Sequence, residues 1–335
     1  MTPGFTEATL DARRPRRDAS AMLRRKLLLA ASLPIAARPL GALAQERPVR
    51  LVIAYPPGGS TDLLGRLIAP RIGERLGTAV TPENRSGASG AVGAGVVAQA
   101  APDGATLLLD SGGQAVNPVL MRGLGFDYRT AFAPVTLLAT LPLVLVVRTE
   151  LGVTRLAALL DRLRAEPRRA AYGSVGIGSR THLAMAALMR SAGIAAEHIP
   201  YRGGADQVTG LLRGDVAMGF TSVALAAPLL REGKLRSLGT SLPGAADSIA
   251  GQGFPGFSIG DWLALFAPAG TPDAAIARVA AAAADAMNQP SLRPRLDELG
   301  LLPAAGGPEA LARFLAAERE VMGRLIAAEG IRLDG

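Results

Sequence analysis

VRLVIAYPPGGSTDLLGRLIAPRIGERLG, Val49 to Gly77, decides the fold class. Its first seven residues are apolar apart from Arg50 and carry several β-branched side chains, the mark of a buried strand. Two prolines and two glycines end that strand. From about Thr61 the apolar positions Leu64, Leu67, Ile68, Ile72 and Leu76 recur at three–four spacing, which predicts a helix whose other faces hold Arg66, Glu74 and Arg75. Strand, turn and helix in that order are the first unit of an alternating α/β chain. The turn itself has two readings. It is a plain junction, or it is a seat for an anion. A helix start leaves backbone N–H groups unpaired and carries the positive end of the helix dipole. Glycine lets that backbone approach a ligand, and Ser60 and Thr61 add hydroxyl donors. Asp62, in the first helical turn, reads as a dipole partner and cap, since a carboxylate there would repel an anion.

The same pattern runs along the chain. TAVTPEN, a small-residue helix in SGASGAVGAGVVAQA and the strand ATLLLD form a second unit. Small residues predict a helix packed close against its neighbours. FAPVTLLATLPLVLVVR, 132–148, is almost unbroken apolar and suits a strand crossing between two lobes. A helix follows, then the strand AAYGS, the loop GSVGIGSRTH and the helix HLAMAALMRSAG. Strand and helix keep alternating through AEHIPYRG, ADQVTGLLRGD, VAMGFTS, VALAAPLLREG and KLRSLGTS. WLALFAPAG is a further strand. TPDAAIARVAAAAADAMNQP starts a helix with Pro272 at its first position. A last helix carries Leu311, Phe314, Leu315, Met322, Leu325 and Ile326 along one stripe. The strand–Gly/Ser loop–helix logic of 49–76 recurs at 170–192, on the other side of the crossing run. The second loop is thus a second candidate anion seat.

Composition narrows the function classes. The formal charge is +8 over 335 residues, but residues 1–44 hold eight Lys/Arg against three acids, so five of those eight net charges sit in the leader. A chain whose basicity is concentrated there makes a poor nucleic-acid binder. LRRKLLLAASLPIAARPLGALAQ has a basic start, a short apolar run and the small-x-small end Ala42-Leu43-Ala44, the pattern of a signal peptide cleaved near Ala44. Residues 1–44 are therefore expected to be signal peptide and leader, and the mature chain to be periplasmic. Arg24-Arg25 is compatible with twin-arginine export, and the standard secretory route is equally allowed. The chain has no cysteine, which excludes disulfides, zinc–thiolate sites and thiol nucleophiles.

The inventory for catalysis is thin. No H-E-x-x-H, G-x-S-x-G, lysine-bearing phosphate loop or post-strand G-x-G-x-x-G occurs. Of the two histidines, His182 is either a ligand contact or a hydrogen-bonded residue near a helix cap, and His198 reads as packing. No catalytic residue, metal or cofactor is expected. Arg180 and Arg202 stand beside the candidate loops, as ion-pairing or solvent-facing side chains.

Four motifs fall in order: P-G-G-x-x-D at 57–62, E-N-R-x-G-A-x-G at 83–90, G-S-x-x-H-L at 178–183 and H-I-P-Y-R-G at 198–203. With NPVL, GKLRSLGTS, GFPGF and LFAPAGTP they cover most of 47–325. In this combination the chain resembles the Bug-type solute-binding proteins of tripartite tricarboxylate transporters. The resemblance implies a two-lobed type II periplasmic-binding-protein fold, each lobe a mainly parallel sheet flanked by helices. It divides the chain into lobe 1, 45–141 plus 268–335, and lobe 2, 142–267. It implies a small carboxylate ligand in a cleft that closes, with membrane components of the transporter, or a receptor ectodomain, as partners of a monomer. Its ligand loops map onto Pro57, Gly58, Gly59, Ser60 and Thr61 in the first lobe. In the second they map onto Ser174, Gly178, Ser179 and Thr181, and onto the strand ends Tyr201, Arg202, Gly203, Thr221 and Ser222. Thr221-Ser222 replace an aspartate often found there that could face a ligand amine, which implies a ligand without an amino group.

Overall fold

The structure is a computed structural model that describes residues 47–167, 170–304 and 306–332. The expected leader, 1–44, lies outside the described residues. Two sheets carry the architecture. The first contains β1 (Val49–Ile53), β2 (Val80–Asn84), β3 (Thr106–Asp110), β4 (Phe132–Leu141), β10 (Asp261–Pro268) and β11 (Leu302–Pro303), in the spatial order β11-β4-β10-β3-β1-β2. The second contains β5 (Leu143–Arg148), β6 (Ala171–Ser174), β7 (Glu197–Pro200), β8 (Met218–Ser222) and β9 (Leu235–Thr240), in the order β7-β6-β8-β5-β9. Helices flank both: α1 (Ser60–Leu76), α2 (Ala91–Ala98), α3 (Gly113–Leu120), α8 (Asp273–Met287), α9 (Arg293–Glu298) and α10 (Pro308–Glu329) with the first sheet, and α4 (Leu156–Ala165), α5 (Arg180–Ser191), α6 (Gly204–Arg213) and α7 (Val223–Arg231) with the second. Among the described residues no helix is long and apolar enough to cross a membrane.

The strands are apolar because both of their faces are covered. In β1, Leu51 and Ile53 pack with Leu64, Ile68 and Ile72 of α1, while Val52 points the other way toward Ala94 and Val97 of α2 and Leu311 of α10. β5 repeats the alternation. Leu143, Leu145 and Val147 join Leu159 of α4 and Leu188 of α5, and Val144 and Val146 join Val208 of α6 and Ala226 of α7. The expected close packing of α2 is present. A Cβ at Gly93 would stand 2.8 Å from the Arg85 carbonyl oxygen and 2.9 Å from the Ala54 Cα, so only glycine lets the helix lie this near β1.

The long apolar run crosses between the sheets, as its composition predicts. It ends β4 at Leu141, passes Pro142 and begins β5 at Leu143. The chain returns before Asp261, and this moves a boundary. Residues 261–267, expected in the second lobe, belong to the first sheet, where β10 pairs with both β3 and β4. The sheets are also mixed. β1, β2 and β3 are mutually parallel, as are β6, β7 and β8, but β10 runs antiparallel to both its neighbours and β5 to both of its own. A strand arriving from the other lobe is not held to the right-handed helical crossover that makes successive strands parallel.

Candidate functional site

The two Gly/Ser junctions face each other across a cavity of about 190 Å³. Five helices begin at its wall. Gly59, Ser60 and Thr61 open α1, and Gly112 and Gly113 open α3. Ser179, Arg180 and Thr181 open α5, Gly203 and Gly204 open α6, and Thr221 and Ser222 precede α7. Each start contributes unpaired N–H groups and a positive dipole end, so the wall is electropositive without lysine. Leu141, Leu143, Leu225 and Leu263 supply the apolar part. The lobes touch around it: Ser89 Oγ donates to the Ile177 carbonyl at 3.0 Å, and Pro56 abuts Gly203.

Three hydroxyls on this wall, Ser60 Oγ, Thr221 Oγ1 and Ser222 Oγ, are buried and have no hydrogen-bond partner among the described residues. Native proteins pair the large majority of such groups. Two predicted hydroxyls of the second-lobe loop are engaged internally. Ser179 Oγ accepts from the His182 N–H at 3.2 Å and Thr181 Oγ1 from the Val175 N–H at 3.0 Å.

Four of the predicted residues do not line the cavity. Gly58 is exposed and donates its N–H to Asp62 Oδ2 at 2.9 Å, which needs its positive φ of 83°. Asp62 also accepts from Arg66 and Asn84, so it is a cap and a buried ion-pair partner. Ser174 is fully buried, with its Oγ 2.6 Å from His198 Nε2. His182 stacks on His198 at 3.7 Å between ring centroids, with its Nδ1 accepting from the Gly178 N–H. Burial pushes the imidazole of His182 down to about 3 and that of His198 down to about 4. Both rings are neutral supports for the loop, and His182 is not poised as a base. Tyr201 packs under α6 and lines a wider outer groove of about 1580 Å³. The remaining predicted residues, Pro57, Gly59, Ser60, Thr61, Gly178, Ser179, Arg180, Thr181, Arg202, Gly203, Thr221 and Ser222, are on the cavity.

Sequence reasoning missed a charged cluster at the cavity floor. Arg180 is 5% exposed; its Nη2 meets Glu318 of α10 at 2.6 Å, its Nε donates to the Gly260 carbonyl at 2.8 Å, and its Nη1 has no partner. Glu318 also accepts from Trp262 Nε1 at 2.9 Å. Asp261 lines the cavity and accepts from the backbone N–H groups of Trp262 and Gly112. Burial of its carboxyl raises its pKa, against the nearby Arg180 charge and these two N–H groups. Behind it, burial pushes Asp110 up to about 7, against hydrogen bonds from the Ser111 N–H, Gln114 and Tyr55. Ser89, Asn117 and Ser111 complete the first-lobe wall. The sequence clue to Asp261 was an acid at the edge of an apolar strand, whose lobe had been misassigned.

A two-lobed α/β chain with helix starts converging on an interlobe cavity is the architecture of a solute-binding protein. The tripartite tricarboxylate transporter family receptor matches residues 64–331. The chain belongs to this family. It is 34% identical over 288 residues to a UPF0065 protein encoded in the tcbD-tcbE intergenic region of Pseudomonas sp. strain P51, covering 84% of this chain and 86% of the relative. It is 31% identical over 296 residues to the protein BugT of Bordetella pertussis, covering 86% and 90%. Solved structures of the same family type superpose closely. R. palustris Rpa4515 with adipate has a TM-score of 0.82 at 32% identity, over 86% of this chain and 98% of that one. MatC from Rhodopseudomonas palustris with bound malate has a TM-score of 0.78 at 29% identity, over 84% and 99%. The chain is thus a Bug-type solute-binding protein, as its motifs implied, and two of its solved relatives hold adipate and malate.

Proposed function

We propose that this protein captures a small carboxylate in the interlobe cavity outside the cytoplasm, closes on it as a monomer, and delivers it to a tripartite tricarboxylate-type transporter. The observation that carries this reading is the set of buried, unpartnered hydroxyls, one at the first-lobe junction and two where β8 meets α7 in the second lobe, all on residues that line one cavity ringed by helix starts. Hydrogen bonds to a charged group are worth ~1.5–3 kcal/mol each. Four or five of them reach the ~8 kcal/mol of a micromolar ligand after the cost of closure. Neutral donors hold an anion without trapping it. A ligand gripped by both lobes binds the closed form better and shifts the population toward it. Adipate and malate in the two solved relatives support a carboxylate here. The signal-like leader supports export.

The test is a thermal-shift screen of mono- and dicarboxylates, followed by calorimetry and small-angle scattering on the hits. At a hundred times its Kd, a true ligand adds about 2.7 kcal/mol of stability and contracts the radius of gyration. A panel with no stabilising carboxylate would sink the reading; stabilisation without contraction would remove lobe closure from it.

A further inference from the structure

The floor of the cavity carries a charge balance that a plain anion does not satisfy. Asp261 and Leu141 are register partners, as are Ser222 and Leu143, so Asp261 and Ser222 flank the crossing Leu141-Pro142-Leu143, one from each lobe. Three side-chain charges meet at the floor: Glu318 and Asp261 from the first lobe, and Arg180, which reaches them from α5 of the second. Glu318 takes the Nη2 of Arg180, and the pair is neutral. Asp261 is then left uncompensated. It makes no ion pair with Arg180, although both residues line the cavity and each influences the other electrostatically. Arg180 keeps Nη1 unsatisfied. Arg202 and Asp206 also line the cavity, but both are exposed at its rim and cancel. A dianion placed here would face a net negative floor in a poorly solvated site, where an unpaired charge is costly. A ligand with its own cation removes that conflict.

We propose that the cleft selects a carboxylate bearing an adjacent ammonium group, an α-amino acid type of ligand, whose ammonium donates to Asp261 while Arg180 Nη1 donates to its carboxylate. This rests on the carboxylate-capture reading above and reverses the expectation drawn from Thr221-Ser222. The acid absent from the end of β8 is replaced by one at the start of β10, on the opposite wall. Gly112 makes the arrangement possible: a Cβ there would stand 2.6 Å from Cγ and 2.7 Å from Cδ of Arg180, displacing the guanidinium.

The experiment compares matched ligands by calorimetry on the purified chain at pH 7.5: aspartate against succinate, and 2-aminoadipate against adipate. The amino member of at least one pair is expected to bind about tenfold tighter, about 1.4 kcal/mol. Asp261→Asn, which keeps a side-chain acceptor for the Gly112 N–H, is expected to bring that ratio close to one. The wild-type comparison stands even if the variant fails to fold. Plain acids that bind as tightly as their amino partners in both pairs overturn the proposal, and tighter binding of the plain acids at lower pH would instead make a protonated Asp261 their donor. An amino preference that survives in Asp261→Asn overturns it as well. If none of the four binds while other carboxylates from the thermal screen do, this inference alone fails. If no carboxylate binds at all, the reading beneath it fails too.

Discussion

Thr221 is 1% exposed, and its hydroxyl has no partner. A buried unpaired hydroxyl costs ~1–3 kcal/mol, which a folded protein tolerates where the group is used. Thr221→Val keeps the shape and removes the hydroxyl. Its unfolding midpoint in urea should hold or rise, while carboxylate affinity measured by calorimetry should fall about tenfold. A drop in stability with affinity intact would make Thr221 a packing residue. At this scale the hydroxyl of Ser60 was legible, because it sits where a strand gives way to a helix; Thr221 and Ser222 were marked only by the family resemblance. The role of Arg180 was not legible. Its partners, Gly260 and Glu318, are far away in sequence and reach it only through tertiary folding.

The junction between β6 and α5 shows how elements support a loop. The register of β6 on β7 places Tyr172 beside His198, and His198 in turn stacks on His182 of α5. Both imidazoles are depressed from the ordinary 6.5, to about 3 and about 4. Below pH 6.5 the unfolded chain takes up protons that the folded chain refuses. The stability these rings contribute is therefore complete above pH 6.5 and is lost as the pH falls through 6.5 toward about 4 and then about 3. Asp110 has the opposite sign. Raised from 3.8 to about 7, it disfavours the folded state increasingly as the pH rises through that window. The histidine share is thus best read as a difference. Between pH 7 and pH 5, wild type should lose more stability than His198→Gln in denaturant melts, and equal losses would show that the stack does not hold the rings neutral. The helix α3 is an element that local sequence does not announce. Gly113 and Pro118 are poor helix formers. Burial of Ala115 and Val116, and Asn117 donating to the Ser89 carbonyl and the Tyr128 hydroxyl, hold it in place.

For the whole molecule the relevant quantity is the approach of the lobes. Gly203 has extended backbone with φ of −176°, so a side chain there brings no backbone strain. Its missing Cβ would stand 3.2 Å from Pro56 Cγ on the opposite lobe. Gly203→Val should act as a wedge. The ligand-induced contraction seen by small-angle scattering should shrink, and affinity should fall about tenfold, with little change in the unfolding midpoint. Unaltered contraction would mean that the lobes meet elsewhere.

Hydrophobic period, turn residues and helix starts are local, and they determined the alternation of strands and helices, the crossing run at 132–148 and the two Gly/Ser junctions. Those features bounded the protein to an alternating α/β chain with two candidate anion seats, and the resemblance of its motifs to a known family added the two-lobed binding-protein fold. The tertiary structure decided which sheet receives Asp261–Pro268, which of the loop residues turn inward, and which charges meet at the floor. These outcomes depend on strand order and on contacts between segments more than a hundred residues apart, such as Arg180 and Glu318. Periodicity along a chain carries no record of such pairings, because many arrangements of the same elements bury the same apolar faces.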